Sequence, residues 1–171
     1  KTDFKDEEIF IMYHQVTELT LKMMLHEIKQ LAEIEEVEEA NWLNRLNRLI
    51  RYTTMLITSF DIMKDGMNYD DYSIFRTSLA PASGFQSAQF RYIEIYCTRL
   101  CNLINEKGHG RISEKPGTEE YFEQIYWRDA GMNRETGTRS LTLTQFEERY
   151  LNSFIQLANK QQGNTLEEKI M

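Results

Sequence analysis

Chain-breaking residues are scarce in this sequence, and that scarcity limits the possible folds more than any other feature. Only 2 prolines and 8 glycines occur among 171 residues, whereas folds built from many short strands need frequent turn residues. Over long stretches, apolar residues also recur about every 3.6 positions, which is the period of an amphipathic helix. We therefore predict an all-α fold, an antiparallel helical bundle of long helices with about five or six helices in total.

The apolar stripes place the individual helices along the chain. In order, the predicted helices cover residues 1–31, 42–64, a short segment with Tyr72 and Arg76, a long segment from Ser83 as N-cap to about Asn105, 119–127 and 141–160. The second helix should bury one face, made of Leu43, Leu46, Leu49, Ile50, Thr53, Leu56, Ile57 and Phe60. Residues 106–117 contain three glycines and a proline, and we predict a flexible loop there that exposes His109.

Composition and charge narrow the class of protein. A hydrophobic content of 41% and a charged content of 27% are typical of a soluble globular protein, and the length suits a single domain over residues 1–171. No apolar run approaches the roughly 20 residues of a membrane-spanning helix. The net charge of −7, without a concentrated basic patch, argues against a nucleic-acid partner.

The 2 cysteines, Cys97 and Cys101, are four residues apart within one helical pattern. Such spacing places both thiols on one face of a helix, and no other ligand nearby completes a metal site. Two reduced cysteines are typical of a cytoplasmic protein.

One short stretch combines side chains that suit a small anion. Tyr72 and Arg76 are four residues apart, so a helix places them on one face, and Pro81 then ends the helical pattern. Ser83 follows in a turn of small residues. A guanidinium pairs with a carboxylate through two hydrogen bonds, and helix N-termini favour negative charge. From the residues alone, an ordinary helix–turn–helix with a salt-bridged arginine explains the pattern equally well.

Two motifs resemble those of a known enzyme family. Residues 75–91 read FRTSLAPASGFQSAQFR, and residues 10–27 read FIMYHQVTELTLKMMLHE. Both runs, in their order along the chain, closely resemble the signature of tryptophan 2,3-dioxygenases. The resemblance covers roughly residues 6–95 of this chain. This resemblance implies a haem-dependent dioxygenase, an all-α homotetramer with haem b that is cytoplasmic. Its reaction would convert L-tryptophan and O2 to N-formylkynurenine, the first step of the kynurenine pathway of tryptophan catabolism.

The resemblance also implies roles for individual side chains. Phe10 corresponds to the aromatic residue that packs on the indole ring. His14 corresponds to the catalytic, distal histidine that forms a hydrogen bond with the indole N–H. Tyr72 and Arg76 correspond to the pair that binds the substrate carboxylate. These roles suit the residue types, because a neutral imidazole accepts a hydrogen bond and a guanidinium stays charged.

The haem side of the resemblance is incomplete. Ser83 and Gly84 correspond to the turn close to the haem and its bound ligand, but the family's proximal histidine has no match here. The three histidines are His14, His26 and His109, and none is a good proximal candidate. We therefore expect this sequence to be an incomplete part of a longer chain, without the C-terminal haem-ligand region. The alternative is a haem-free helical-bundle relative with a binding or assembly role.

Overall fold

The computed structural model describes residues 5–34, 39–75, 84–133 and 136–170. The chain forms two compact units, Lys1–Pro81 and Ala82–Met171. The described residues of the two units form α-helices, short 3-10 segments and turns, with two isolated β-bridges but no β-strand. The predicted all-α fold is therefore confirmed. In the described part of the chain, no helix is both long and apolar enough to cross a membrane.

In the described part of the first unit there are two long helices and two short ones. They are α1 (Lys5–Glu33), α2 (Glu39–Ser59), α3 (Asp61–Lys64) and α4 (Tyr69–Phe75). Helix α1 starts with three acidic residues, which complement the positive end of the helix dipole. Its buried residues Leu21, Leu25, Ile28 and Leu31 are three or four positions apart. This spacing gives α1 one continuous apolar face, as the sequence predicts.

A buried carboxylate on α1 forms ion pairs with two arginines of α2. Glu27 is 7% exposed and accepts hydrogen bonds from Arg48 Nε at 2.7 Å and Arg48 Nη2 at 2.8 Å. Arg45 Nη1 donates to the same carboxylate at 3.1 Å. The hydrogen bonds from Arg48 are the main reason that the pKa of Glu27 lies below its ordinary value. The guanidiniums of Arg45 and Arg48 thus balance the buried carboxylate of Glu27.

The predicted buried face of α2 is wrong. No residue of α2 is buried; Leu43 is 52% exposed, Ile50 62% and Ile57 70%. Leu46, Leu49 and Leu56 are half-buried. Among the described residues of the first unit, α2 packs mainly against α1. The apolar stripe of α2 is wider than the strip that α1 covers.

The described residues of the second unit form four α-helices and three 3-10 segments. The helices are α5 (Ala88–Cys97), α6 (Thr118–Glu123), α7 (Leu141–Gln161) and α8 (Leu166–Ile170). The 3-10 segments are Gly84–Gln86, Leu100–Leu103 and Tyr126–Gly131. Its core consists of Phe85, Ile95, Leu103, Phe122, Ile125, Trp127, Leu143, Phe146, Phe154 and Ala158. Helix α7 contributes four of these ten residues, and it is the central helix of this unit.

The predicted limits of α5 are wrong at both ends. Ser87, rather than Ser83, is its N-cap, because the Ser87 hydroxyl accepts from Phe90 N at 3.2 Å. At the other end, Thr98 is extended and its hydroxyl donates to Glu167 at 2.5 Å. This contact ends the helix eight residues before the predicted limit. Cys97 therefore ends α5 and Cys101 lies in the next 3-10 segment, so the two free thiols do not share a helix.

The segment predicted as a loop contains no helix. A series of turns follows Ile104, and Gly108 N donates to Asn105 O at 2.9 Å. A Cβ on Gly108 would lie 2.6 Å from Ile104 Cγ2 and 2.7 Å from Gln124 Cβ, so this position has room only for glycine. His109 is exposed, as predicted. The flexibility of this segment remains a prediction.

Candidate functional site

Helix α4 is fixed to the start of α1 by two residues that the sequence motifs do not include. Asn68 N donates to Asp6 Oδ2 at 2.8 Å. The Asn68 side chain accepts from Asp70 N at 3.0 Å and from Asp71 N at 3.1 Å, which caps α4. The Asp6–Asn68 contact thus fixes the start of α4 beside the first turns of α1.

This arrangement brings four aromatic rings together. Phe10 lies 4.2 Å from His14, 6.2 Å from Tyr72 and 5.7 Å from Phe75, measured between ring centroids. The rings of Tyr72 and Phe75 meet edge to face at 5.4 Å. Phe75 is fully buried, Phe10 and Tyr72 are half-buried, and His14 is exposed. We call Phe10, His14, Tyr72 and Phe75 the aromatic cluster.

The hydrogen bond of His14 determines its tautomer. Nδ1 of His14 lies 2.8 Å from the carbonyl oxygen of Phe10. Since a carbonyl can only accept, Nδ1 carries the proton and donates it. In the neutral ring, Nε2 is then an acceptor. No described residue forms a hydrogen bond with Nε2, so His14 presents one acceptor beside the Phe10 ring.

The structure describes four of the six predicted site residues. It brings together Phe10, His14 and Tyr72, which all belong to the first unit. Gly84 begins the 3-10 segment Gly84–Gln86 of the second unit. Arg76 and Ser83, like the predicted helix end at Pro81, lie outside the described residues.

The part of the second motif that follows Gly84 is anchored in the core of the second unit. Phe85 is 3% exposed; its ring stacks with Trp127 at 6.5 Å and 17° and meets Phe146 edge to face at 5.6 Å. Ser87 caps α5. These contacts make Phe85 and Ser87 structural residues that hold the start of α5.

Arg91, the last residue of the same motif, belongs to a buried polar network. Arg91 is 4% exposed; its Nη1 donates to Tyr126 Oη at 2.9 Å and lies 3.1 Å from Glu94 Oε2. Tyr126 Oη donates to Glu94 Oε1 at 2.5 Å. Burial raises the pKa of Glu94, while Tyr126 and Arg91 act against that rise. The network ties α5 to the 3-10 segment that begins at Tyr126.

Sequence reasoning missed three residues that shape the aromatic cluster, namely Asp6, Asn68 and Phe75 as a ring partner. Asn68 could have been found from the sequence, because an asparagine before Tyr69-Asp70-Asp71 is a typical helix N-cap with an acidic first turn. The contact of Asn68 with Asp6 carries no local signal, since 62 residues separate the partners.

The histidines of the described residues do not fit an axial haem ligand. His14, His26 and His109 are all exposed. No described residue forms a hydrogen bond with the ring of His26 or His109, although an axial histidine is usually oriented by such a bond. His14 uses Nδ1 within its own helix. Among the described residues, these histidines do not form a haem pocket.

A comparison with known protein families shows which family the chain belongs to. The model of the tryptophan 2,3-dioxygenase family matches residues 1–153. The chain belongs to the tryptophan 2,3-dioxygenase family. The family match extends well past the two motifs, to include most of α7.

Relatives of known name agree with this family. The chain is 39% identical over 111 residues to a tryptophan 2,3-dioxygenase from Ruegeria sp. (strain TM1040), covering 64% of this chain and 39% of the relative. It is 39% identical over 90 residues to the enzyme from Polaromonas naphthalenivorans (strain CJ2), covering 52% and 32%. For Ralstonia pickettii (strain 12J), identity is 29% over 121 residues, covering 70% and 41%.

The chain spans less than half the length of these curated relatives. No solved structure is a significant match. The tryptophan 2,3-dioxygenase family is thus established by sequence, and the aromatic cluster is the part of the candidate site that the structure describes.

Proposed function

We propose that the whole protein is a tryptophan 2,3-dioxygenase that converts L-tryptophan and O2 to N-formylkynurenine. The observation that carries this proposal is the aromatic cluster in a member of this family. Phe10, His14 and Tyr72 come from two helices, yet their rings lie within contact distance. An indole ring is planar and apolar with a single N–H donor, and the cluster offers an aromatic wall beside a single acceptor.

Phe10 and His14 would bind the indole. Phe10 would pack on the ring, and His14 Nε2 would accept the indole N–H while Nδ1 keeps its bond to the Phe10 carbonyl. An imidazole can also act in proton transfer to and from such a group. His14 is therefore the proposed catalytic residue of this chain.

Tyr72 and Arg76 would bind the α-carboxylate of tryptophan. Tyr72 lies 6.2 Å from Phe10 between ring centroids, so a ligand packed on Phe10 can also reach its hydroxyl. Arg76 follows Phe75 directly, and a guanidinium suits a carboxylate through two parallel hydrogen bonds. Ser83 and Gly84 would lie close to the haem and its ligand.

The cofactor of the whole protein is proposed to be haem b, which supplies the activation of O2. We do not assign its axial ligand to His14, His26 or His109. The proposed assembly is a homotetramer, and the exposed apolar side chains of α2 support association, since large apolar surfaces mark interaction sites. We place the enzyme in the cytoplasm, without a nucleic-acid or membrane partner.

A haem-free relative with a binding or assembly role is the second candidate. The exposure of all three histidines favours it. Iron content and the haem absorbance band of the purified full-length protein separate the two: a stoichiometric haem band supports the dioxygenase, and its absence after haem reconstitution supports the second candidate.

Substitution of two tyrosines on the same helix tests the substrate site. Tyr72 is half-buried in the aromatic cluster, whereas Tyr69 is 79% exposed one turn earlier. Tyr72→Ala should weaken the binding of L-tryptophan by about tenfold or more, from the loss of one hydrogen bond and ring contact. Tyr69→Ala is the matched control and should bind like wild type. Equal binding by Tyr72→Ala and wild type would refute the proposed site.

A further inference from the structure

The second unit contains a cleft beside the C-terminal end of α7. Its volume is about 340 Å³, which lies within the range of about 300 to 1,000 Å³ for small-molecule sites. Apolar contacts come from Ile95, Leu100 and Ala158, and Tyr121 and Pro116 also line it. We call it the α7 cleft. None of the proposed tryptophan-site residues lines it, so its ligand would be a second one.

A buried amide in the wall of the α7 cleft lacks a partner. Gln161, the last residue of α7, is 5% exposed and lines the cleft. Its Oε1 is buried and accepts no hydrogen bond from any described residue. Buried polar atoms nearly always have a partner. A ligand with an N–H donor would supply the one that Gln161 Oε1 lacks.

The charges around the cleft favour a neutral ligand. Arg99 and Glu168, which also line it, are opposite in charge. The Glu168 carboxylate already accepts from Thr165 N at 3.1 Å and Thr165 Oγ1 at 2.7 Å, so it is held in place as a cap of α8. Neither a cation nor an anion therefore gains a net counter-charge here.

We propose that the α7 cleft binds a small aromatic carboxamide. The ring would pack against Ile95, Leu100 and Ala158, and the amide would pair with Gln161. A glutamine side chain carries a donor beside its acceptor, and a primary carboxamide has the complementary pair. A phenol or an amine can donate to Gln161 Oε1 but lacks the complementary donor and acceptor pair of a carboxamide.

Two molecules of nearly equal size test this assignment. Benzamide has the N–H donor, and acetophenone replaces the amide nitrogen with a methyl group. Binding is followed by NMR on the protein with 13C-labelled alanine methyl groups, because Ala158 lines the cleft. Benzamide should shift the Ala158 methyl signal in a saturable manner. Acetophenone should bind about tenfold more weakly, because it leaves Gln161 Oε1 without a donor.

Two glutamine variants of α7 complete the test. Gln161→Leu should bind both molecules with about the same affinity, since the amide partner is gone. Gln145→Leu, an identical change at an exposed position of the same helix, should keep the preference for benzamide. The proposal is overturned if benzamide leaves the Ala158 signal unshifted, if wild type binds the two molecules equally, or if Gln161→Leu keeps the preference. None of these results depends on tryptophan turnover.

Discussion

The ring of His14 shows how one hydrogen bond limits what a side chain can do. Donation from Nδ1 to the Phe10 carbonyl at 2.8 Å leaves Nε2 as the only free ring nitrogen, and it is an acceptor when the ring is neutral. Such an imidazole suits the positioning of an N–H group. A positioning residue of this kind should be partly dispensable.

Replacement of His14 should slow the enzyme without abolishing it. In the full-length protein, His14→Ala should lower the rate of tryptophan oxidation by about a hundred- to ten-thousandfold, the usual loss for one proton-transfer group. The haem absorbance band should remain. Wild type should also prefer tryptophan to tryptophan methylated at the indole nitrogen, and His14→Ala should lose this preference. Loss of the haem band in His14→Ala would instead make His14 an iron ligand.

The thiol of Cys97 illustrates the effect of burial on one group. The pKa of the Cys97 thiol is raised from 9.0 to about 11. Burial is the larger cause, and the negative charge of Glu94 is the smaller one. Since the thiolate is the reactive form, Cys97 should be a poor nucleophile near neutral pH.

Alkylation rates test the prediction for Cys97. In Cys101→Ser, which leaves Cys97 as the only thiol, iodoacetamide at pH 8 should react about a hundredfold more slowly than with the same protein in urea. Mass spectrometry follows the reaction. Cys97→Ser, treated in the same way, reports on Cys101 and serves as the control. Equal rates for Cys97 in the folded and unfolded states would contradict the raised pKa.

At the scale of elements, the sequence predicts helices well where one apolar stripe continues without interruption. Helices α1 and α7 start and end within a few residues of their predicted limits, because local periodicity is sufficient to define them. Helix α5 ends early because Thr98 donates to Glu167, a residue 69 positions away. No local pattern contains that information, and the same holds for the Asp6–Asn68 contact that positions α4.

Apolar periodicity also identifies a face without showing what covers it. The apolar stripe of α2 is present, but five of the eight residues predicted to be buried, Ile50 and Ile57 among them, are exposed. For the site, Phe10, His14 and Tyr72 were available from motif resemblance alone. Their mutual distances depend on how α1 and α4 pack, and only the structure shows them.

Glu94, in the polar network with Arg91 and Tyr126, should make the stability of the second unit depend on pH. Burial raises the pKa of Glu94 above its ordinary value of 4.5. The folded state therefore binds a proton that the unfolded state has released, so the free energy of unfolding decreases as pH rises from 4.5 through the raised pKa. Glu94→Gln should remove this decrease. Urea unfolding between about pH 4 and 7 measures it.

An exposed carboxylate provides the control for Glu94. Glu148→Gln, on the exposed side of α7, should leave the pH profile unchanged. Glu27 changes the free energy of unfolding in the opposite direction, because its pKa is lowered in the folded state. Its stabilising contribution is present above pH 4.5 and is lost as the pH falls through the lowered pKa. A Glu94→Gln profile that is parallel to wild type across this range would contradict the account.

At the scale of the whole molecule, the predicted site residues are distributed over both units. The first unit holds the aromatic cluster, and the second holds Gly84 and the anchored remainder of the second motif. The first unit also exposes Leu43, Ile50 and Ile57 on α2. An apolar surface of this kind is expected to be covered in the proposed homotetramer.

Product analysis under isotopically labelled oxygen tests the central claim most directly. The full-length protein, reconstituted with haem, is supplied with L-tryptophan under 18O2, and the product is identified by mass spectrometry. The proposed dioxygenase should form N-formylkynurenine with both new oxygen atoms from 18O2. Phe10→Ala should form much less of it at the same haem content. A haem-loaded wild-type protein that forms no such product, or inserts only one labelled oxygen atom, would contradict the assignment.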